Sequence, residues 1–180
     1  MTLAKALAVL AALTIALAAS PASATNAVPQ SPTLAAGPTP GQYYQMRARS
    51  SGLRLEVAFA STGLAPVIQA SSPSGYRPSH WRFESINTSF YRIINRNSGN
   101  CLRGSSAGVR TVIYQAPCQG GNIFDEWRLT QTGSDYEISQ REFGWSLCII
   151  GDLTFGGVPL VSESPGSSLC NKRFTLIPVS

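Results

Sequence analysis

Few side chains in this 180-residue chain could do chemistry: nine Asp or Glu residues, one histidine and four cysteines. Hydrolysis or group transfer needs a nucleophile with its base, two placed carboxylates, or a metal. The lone imidazole, His80, stands in a Ser-His-Trp run with nothing to mark a nucleophile for it. It is read as a structural or exposed residue. The acids are scattered, and no spacing marks a pair. Cys101, Cys118, Cys148 and Cys170 include no Cys-x-x-Cys pair, so neither a metal site nor a cofactor is expected. The chain is therefore read as a non-enzyme. Recognition remains. Phe143-Gly-Trp145 sets two large aromatics at a turn, where an exposed ring would be a stacking platform for a sugar or a protein. The other reading folds Trp145 back onto the body of the molecule. Both stand at this point.

The elements that must position these residues are short strands. Only 13% of residues are charged, Gly and Pro number 16 and 12, and no long stretch after residue 24 has helical periodicity. Between Phe90 and Thr130, apolar runs alternate with Asn/Ser/Gly turns, as in β-hairpins. The unit occurs three times. Tyr44 and Gly52, Tyr91 and Gly99, Tyr136 and Gly144 are each eight residues apart, and Leu55, Leu102 and Leu147 follow each glycine by three. An aromatic closes each unit at Trp81, Trp127 and Phe174, and the period is 47 then 45 residues. Such a period marks a repeat architecture in which no unit buries its apolar face alone. The chain is read as all-β, with these tyrosines, leucines and closing aromatics as its core.

Ser98-Gly-Asn-Cys-Leu102 resembles the hairpin motif of the ricin B-type lectin domain, and Asp125-Glu-Trp127 stands where that family has Gln-x-Trp. The resemblance covers about residues 42–180. It implies a β-trefoil of three pseudo-threefold repeats (about 42–86, 87–132 and 133–180) and about twelve strands. Four cysteines allow three pairings. The family's bridge within a repeat implies Cys101–Cys118 and Cys148–Cys170. Cys148 nevertheless falls two positions later in register than Cys101, and Cys170 stands four residues before its aromatic, not nine.

The resemblance also implies sugar pockets, at most one per repeat. In these a ring stacks on the sugar, an acid takes two hydroxyls, and an amide precedes the closing tryptophan. The acid position holds Glu56, Arg103 and Cys148. The stacking windows begin at Gln69, Gln115 and Ser162, and none contains an aromatic; Tyr114 is the nearest. Of the amide positions only Asn171 matches. Asp152 could replace the acid missing from repeat three; the bland alternative is a solvated loop aspartate. The candidate sets are Glu56 with Gln69, Tyr114 with Asn122 and Asp125, and Asp152 with Trp145 and Asn171; Gln115 is a further candidate. No repeat keeps the full set.

Residues 1–24 read as a signal peptide: Lys5, an apolar run from Ala6 to Ala19, then Ala22-Ser-Ala24. Residues 25–41 are a Pro-rich leader. The net charge of +5 comes from scattered arginines without a basic stripe, so nucleic acid is not expected as a partner. No membrane contact is expected after signal cleavage. The expectation is a secreted, extracellular, monomeric lectin-like protein that binds carbohydrate without catalysis. The alternative is a secreted β-trefoil that binds a protein, such as a protease inhibitor.

Overall fold

Runs of four to seven residues with alternating burial can satisfy their backbone groups only by pairing laterally. The computed structural model describes residues 37–151 and 153–180; the expected signal peptide, most of the leader and Asp152 lie outside the described residues. Repeat one contributes β1 (Tyr43–Ala48), β2 (Arg54–Val57), β3 (Ala65–Ala70) and β4 (His80–Ser85). Repeat two contributes β5 (Tyr91–Asn95), β6 (Cys101–Arg103), β7 (Tyr114–Ala116) and β8 (Glu126–Thr132). Repeat three contributes β9 (Asp135–Gln140), β10 (Ser146–Ile150), β11 (Leu160–Glu163), β12 (Cys170–Asn171) and β13 (Phe174–Val179). The one strand beyond the expected twelve is β12. The Cys148–Cys170 disulfide holds its two residues against Ile149 and Ile150 of β10.

The first and last long strands of each repeat close a barrel: β1 pairs β4, β4 pairs β5, β5 pairs β8, β8 pairs β9, β9 pairs β13, and β13 returns to β1. Closure removes the edges that open sheets leave unpaired. The other strands form three hairpins, β2/β3, β6/β7 and β10/β11. These touch in a cycle through Ala65 opposite Gln115, Val112 opposite Val161 and Ile68 opposite Pro159. This is the trefoil.

The repeat markers occupy equivalent places. Gly52, Gly99 and Gly144 have φ of 71°, 74° and 66°, and each N–H donates to the last residue of the preceding strand, Ala48, Asn95 or Gln140. A side chain is strained in that left-handed conformation, which is why glycine recurs. Trp81, Trp127, Phe174, Leu55, Leu102 and Leu147 are fully buried. The indole N–H of Trp81 donates to Leu55 O and that of Trp127 to Leu102 O, both at 2.9 Å. Tyr44 is buried, whereas Tyr91 and Tyr136 are only partly so and line a cavity of about 320 Å³ with Gly37, Arg128 and Gln131. The end of the leader lies against these tyrosines. Thr39 N–H donates to Tyr44 Oη, and a Cβ on Gly37 would stand 2.5 Å from Tyr91 Oη. Both disulfides form as the resemblance implies.

A second cyclic device fixes the hairpin loops. Opposite each hairpin leucine stands a buried polar residue: Gln69, Gln115 or Ser162. The Gln115 amide donates to Ser61 O and Gly63 O of repeat one, at 2.8 and 2.7 Å. The Gln69 amide donates to Leu153 O and Phe155 O of repeat three, at 2.8 and 2.9 Å. Ser162 donates to Gly108 O of repeat two at 3.2 Å. Each repeat thus grips the loop of a neighbour and satisfies carbonyls that strand pairing leaves free.

Candidate functional site

A sugar-sized polar ligand needs an open recess with unspent hydrogen-bonding groups and a free apolar ring face. Equivalent places in the three repeats can be compared at the residue after the hairpin leucine, which lies next to the disulfide cysteines or their counterparts.

In repeat one this residue is Glu56, on β2 and half-buried. It lines a recess of about 200 Å³ with Ala70, Ser71, Ser72, Pro73 and Tyr76. Ser72 Oγ donates to Glu56 Oε2, so one of about four lone-pair positions on the carboxylate is used. The far wall is the loop of residues 71–79. Its carbonyls are held from behind: Ser72 O by Arg54 Nη1 at 2.6 Å, Pro73 O by Gln45 Nε2 at 3.0 Å, and Ser74 O by His80 Nε2 at 2.6 Å. Tyr76 O accepts from Ser79 Oγ at 2.8 Å. This loop sets Tyr76, half-exposed, beside the acid.

In repeat two the equivalent residue is Arg103. Its Nε donates to Asp125 Oδ1 at 2.5 Å and its Nη2 to Oδ2 at 2.7 Å, a bidentate pair, and Nη2 also reaches Pro117 O at 2.8 Å. Asp125 is fully buried and also accepts from Gln119 N–H. These hydrogen bonds push the Arg103 guanidinium above its already high pKa. Acid and base neutralise one another where a ligand would need one of them free. In repeat three the equivalent residue is Cys148, consumed by its bridge to Cys170. Beside it, Lys172 is buried and donates to Ser164 O and Pro165 O at 2.6 and 2.8 Å.

The candidate sets separate accordingly. Glu56 faces the recess, but Gln69 does not. Glu56 pairs with Ile68, and Gln69 is one residue further along, turned inward and fully buried. Gln69 therefore leaves the set, and so does Gln115, for the same reason: both amides are spent on neighbouring loops. Asp125 is a partner of Arg103, not an exposed acceptor. Asn122 caps the 3-10 turn Ile123–Asp125 by accepting from Phe124 N–H. Tyr114 pairs with Arg103 across β6/β7 and lines a separate, largely apolar hollow with Leu64, Ala65, Pro66 and Val112. Trp145 stacks on Phe143, with centroids 4.4 Å apart and planes at 24°, and Phe143 in turn lies 6.4 Å from Phe124 of repeat two. The tip rests on the neighbouring repeat, and two of its ring faces cover each other. Asn171 sits opposite Ile149, four residues after Trp145, or about 13 Å along an extended chain. Asp152 lies outside the described residues.

Sequence reasoning missed Tyr76 and Ser72. Tyr76 stands five residues before Trp81, outside the stacking window that begins at Gln69, in a loop with Pro73 and Pro78 whose course is set by bonds from distant side chains.

The sequence matches the family described as ricin-type beta-trefoil lectin domain-like, over residues 30–108 and again over 77–152. No curated protein matches. Among solved structures, the designed 3-fold symmetric protein ThreeFoil is similar at 30% identity and a TM-score of 0.68, over 75% of this chain and 97% of ThreeFoil. An exo-beta-1,3-galactanase from Clostridium thermocellum is similar at 24% identity and a TM-score of 0.71, over 77% of this chain but 30% of the enzyme. The Macrolepiota procera ricin B-like lectin, solved in complex with lactose, is similar at 14% identity and a TM-score of 0.66, over 79% of this chain and 99% of the lectin.

Proposed function

The chain belongs to the ricin-type β-trefoil lectin-like family, and we propose that it binds a pyranose sugar in the recess of repeat one, without catalysis. What carries the reading is the contrast at one equivalent position. Glu56 keeps a carboxylate facing an open recess with an aromatic wall, whereas Arg103 is tied to Asp125 and Cys148 to Cys170. Two sugar hydroxyls donate to the lone pairs that Ser72 leaves free on Glu56. The sugar's C–H face lies on the Tyr76 ring.

Hydrogen bonds to a charged group contribute about 1.5–3 kcal/mol. A ring contact contributes about 0.5–1.5 kcal/mol. One such site supports affinity of about millimolar order, −4 kcal/mol. The same reading takes the protein as monomeric and as secreted, and the two disulfides in so small a domain support secretion.

The test is a glycan and polysaccharide array with disulfides oxidised, beginning with lactose and β-1,3-galactan. Binding weakened roughly tenfold or more by Glu56→Ala is the expected result. A blank array sinks the reading. It then favours a protein partner, for which the strongest feature is on the hairpin loops: Phe59 is 98% exposed at φ 56°, Leu64 70% exposed and Phe155 62% exposed. Capture of a partner lost on Phe59→Ser would establish that alternative.

A further inference from the structure

The wall of the repeat-one recess has no strand pairing of its own. Residues 71–79 run between β3 and β4, with Ser71, Pro73, Ser74 and Gly75 exposed. What fixes the wall is the row of side chains behind it. Arg54 and Gln45 keep the same hydrogen-bonding capacity at all ordinary pH values. His80 does not. Its ring is buried, with Nε2 against Ser74 O at 2.6 Å and Nδ1 facing Arg96 Nη1 at 3.3 Å. Only one assignment satisfies both contacts: Nε2–H donates to the carbonyl, and Nδ1 accepts from the guanidinium. That is the neutral imidazole.

We propose that His80 is the positioning residue of this recess: neutral, it pins the Tyr76 loop beside Glu56, and protonated, it releases that loop. The proposal rests on the sugar-binding reading of the recess. A proton on Nδ1 would point at Arg96 and put a charge in a buried ring, so the charged form is favoured where loop and ring have parted. The Nε2–H would donate to Ser74 O in either state, so release comes from the cost of a buried charge beside Arg96 outweighing that bond.

Among the described residues, no acidic side chain acts on the ring to offset the added charge. Arg96 follows β5 and is itself held over the Tyr43 ring and by Ser180 O. Arg77 lies on the 3-10 turn Arg77–Ser79. From β1 the neighbour is the neutral Gln45, and from β5 the neutral Asn95, which donates to His80 O and Pro78 O. Burial lowers the His80 pKa from 6.5, and Arg96 and Arg77 lower it further against the opposing Ser74 bond. The unfolded chain, or a released loop, therefore takes up the proton first as pH falls below about 6.5. The pinned state is complete above that value and is lost in the window below it.

The first measurement follows the His80 ring and the Ser74, Tyr76 and Arg96 amides by NMR from pH 7.5 to 4.5, without ligand. The expected result is one shared midpoint below 6.5, absent in His80→Gln, which keeps a donor for Ser74 O. Arg96→Gln removes the facing cation and should raise the midpoint towards 6.5, a control should His80→Gln fail to fold. A midpoint at or above 6.5, or loop amides that do not follow His80, overturns the proposal. The second measurement is retention on immobilised lactose and β-1,3-galactan. It should fall about threefold or more between pH 7.5 and pH 5, and stay flat over the same range in His80→Gln. Retention that ignores pH overturns the pin alone. Shared titration with no retention at any pH upholds the pin and sinks the sugar reading.

Discussion

Repeats one and two share a frame and differ in what they do with one position. In each, a fully buried tryptophan donates to the carbonyl of the hairpin leucine at 2.9 Å, and a glycine turn precedes the hairpin strand. The next residue is Glu56 in one and Arg103 in the other. Glu56 keeps acceptor capacity at the surface. Arg103 turns onto Asp125, two residues before Trp127, where repeat one has the smaller Ser79. The frame sets where a side chain points. Whether it is free depends on what stands across the recess. A carboxylate facing a hydroxyl remains available, whereas a guanidinium facing a buried carboxylate becomes structure.

The largest expected effect comes from breaking the repeat-two pair. Asp125→Ala leaves Arg103 without its partner and orphans Gln119 N–H, so unfolding in urea should show a loss of about 3–5 kcal/mol. Sugar binding by the folded variant, in buffer without urea, should be unchanged. Loss of binding in a folded Asp125→Ala variant would move the site to repeat two and undo the comparison.

The converse change, Glu56→Ala, should weaken sugar binding by about 1.5–3 kcal/mol, or roughly tenfold to more than a hundredfold. Stability should move by under about 1 kcal/mol, because Glu56 is half-exposed and its bond is to Ser72. Calorimetric titration and a melting curve on one preparation separate the two effects. Tyr76→Ala is the smallest perturbation: about 0.5–1.5 kcal/mol of binding, read by the same titration. An unchanged affinity there would show that the aromatic wall is a boundary and not a contact.

Much of the fold was legible. Tyrosine, glycine, leucine and closing aromatic keep register through three copies because each does a job that few residues can do, and the barrel repeats that job. The candidate site was legible in part. Glu56 could be located because it directly follows an anchored leucine. Tyr76 could not, because its loop has no period and takes its course from Arg54, Gln45 and His80, which are distant in sequence. Gln69 and Gln115 were misleading because an amide on a short strand reads as a surface residue. Burial of such an amide becomes intelligible only when the neighbouring loop whose carbonyls it satisfies is in place. Trp145 illustrates the same limit: a tryptophan on a turn could point outward, and it stacks instead on Phe143, which itself lies beside Phe124 of the neighbouring repeat.

By itself the sequence determined the threefold β plan, its glycine turns and its aromatic core, because those depend on local conformation and on spacing within one repeat. Only the tertiary structure decided which polar residues are free. Each hydrogen bond that uses up a donor or acceptor comes from another strand, another loop or another repeat, and those partners meet only when the barrel closes.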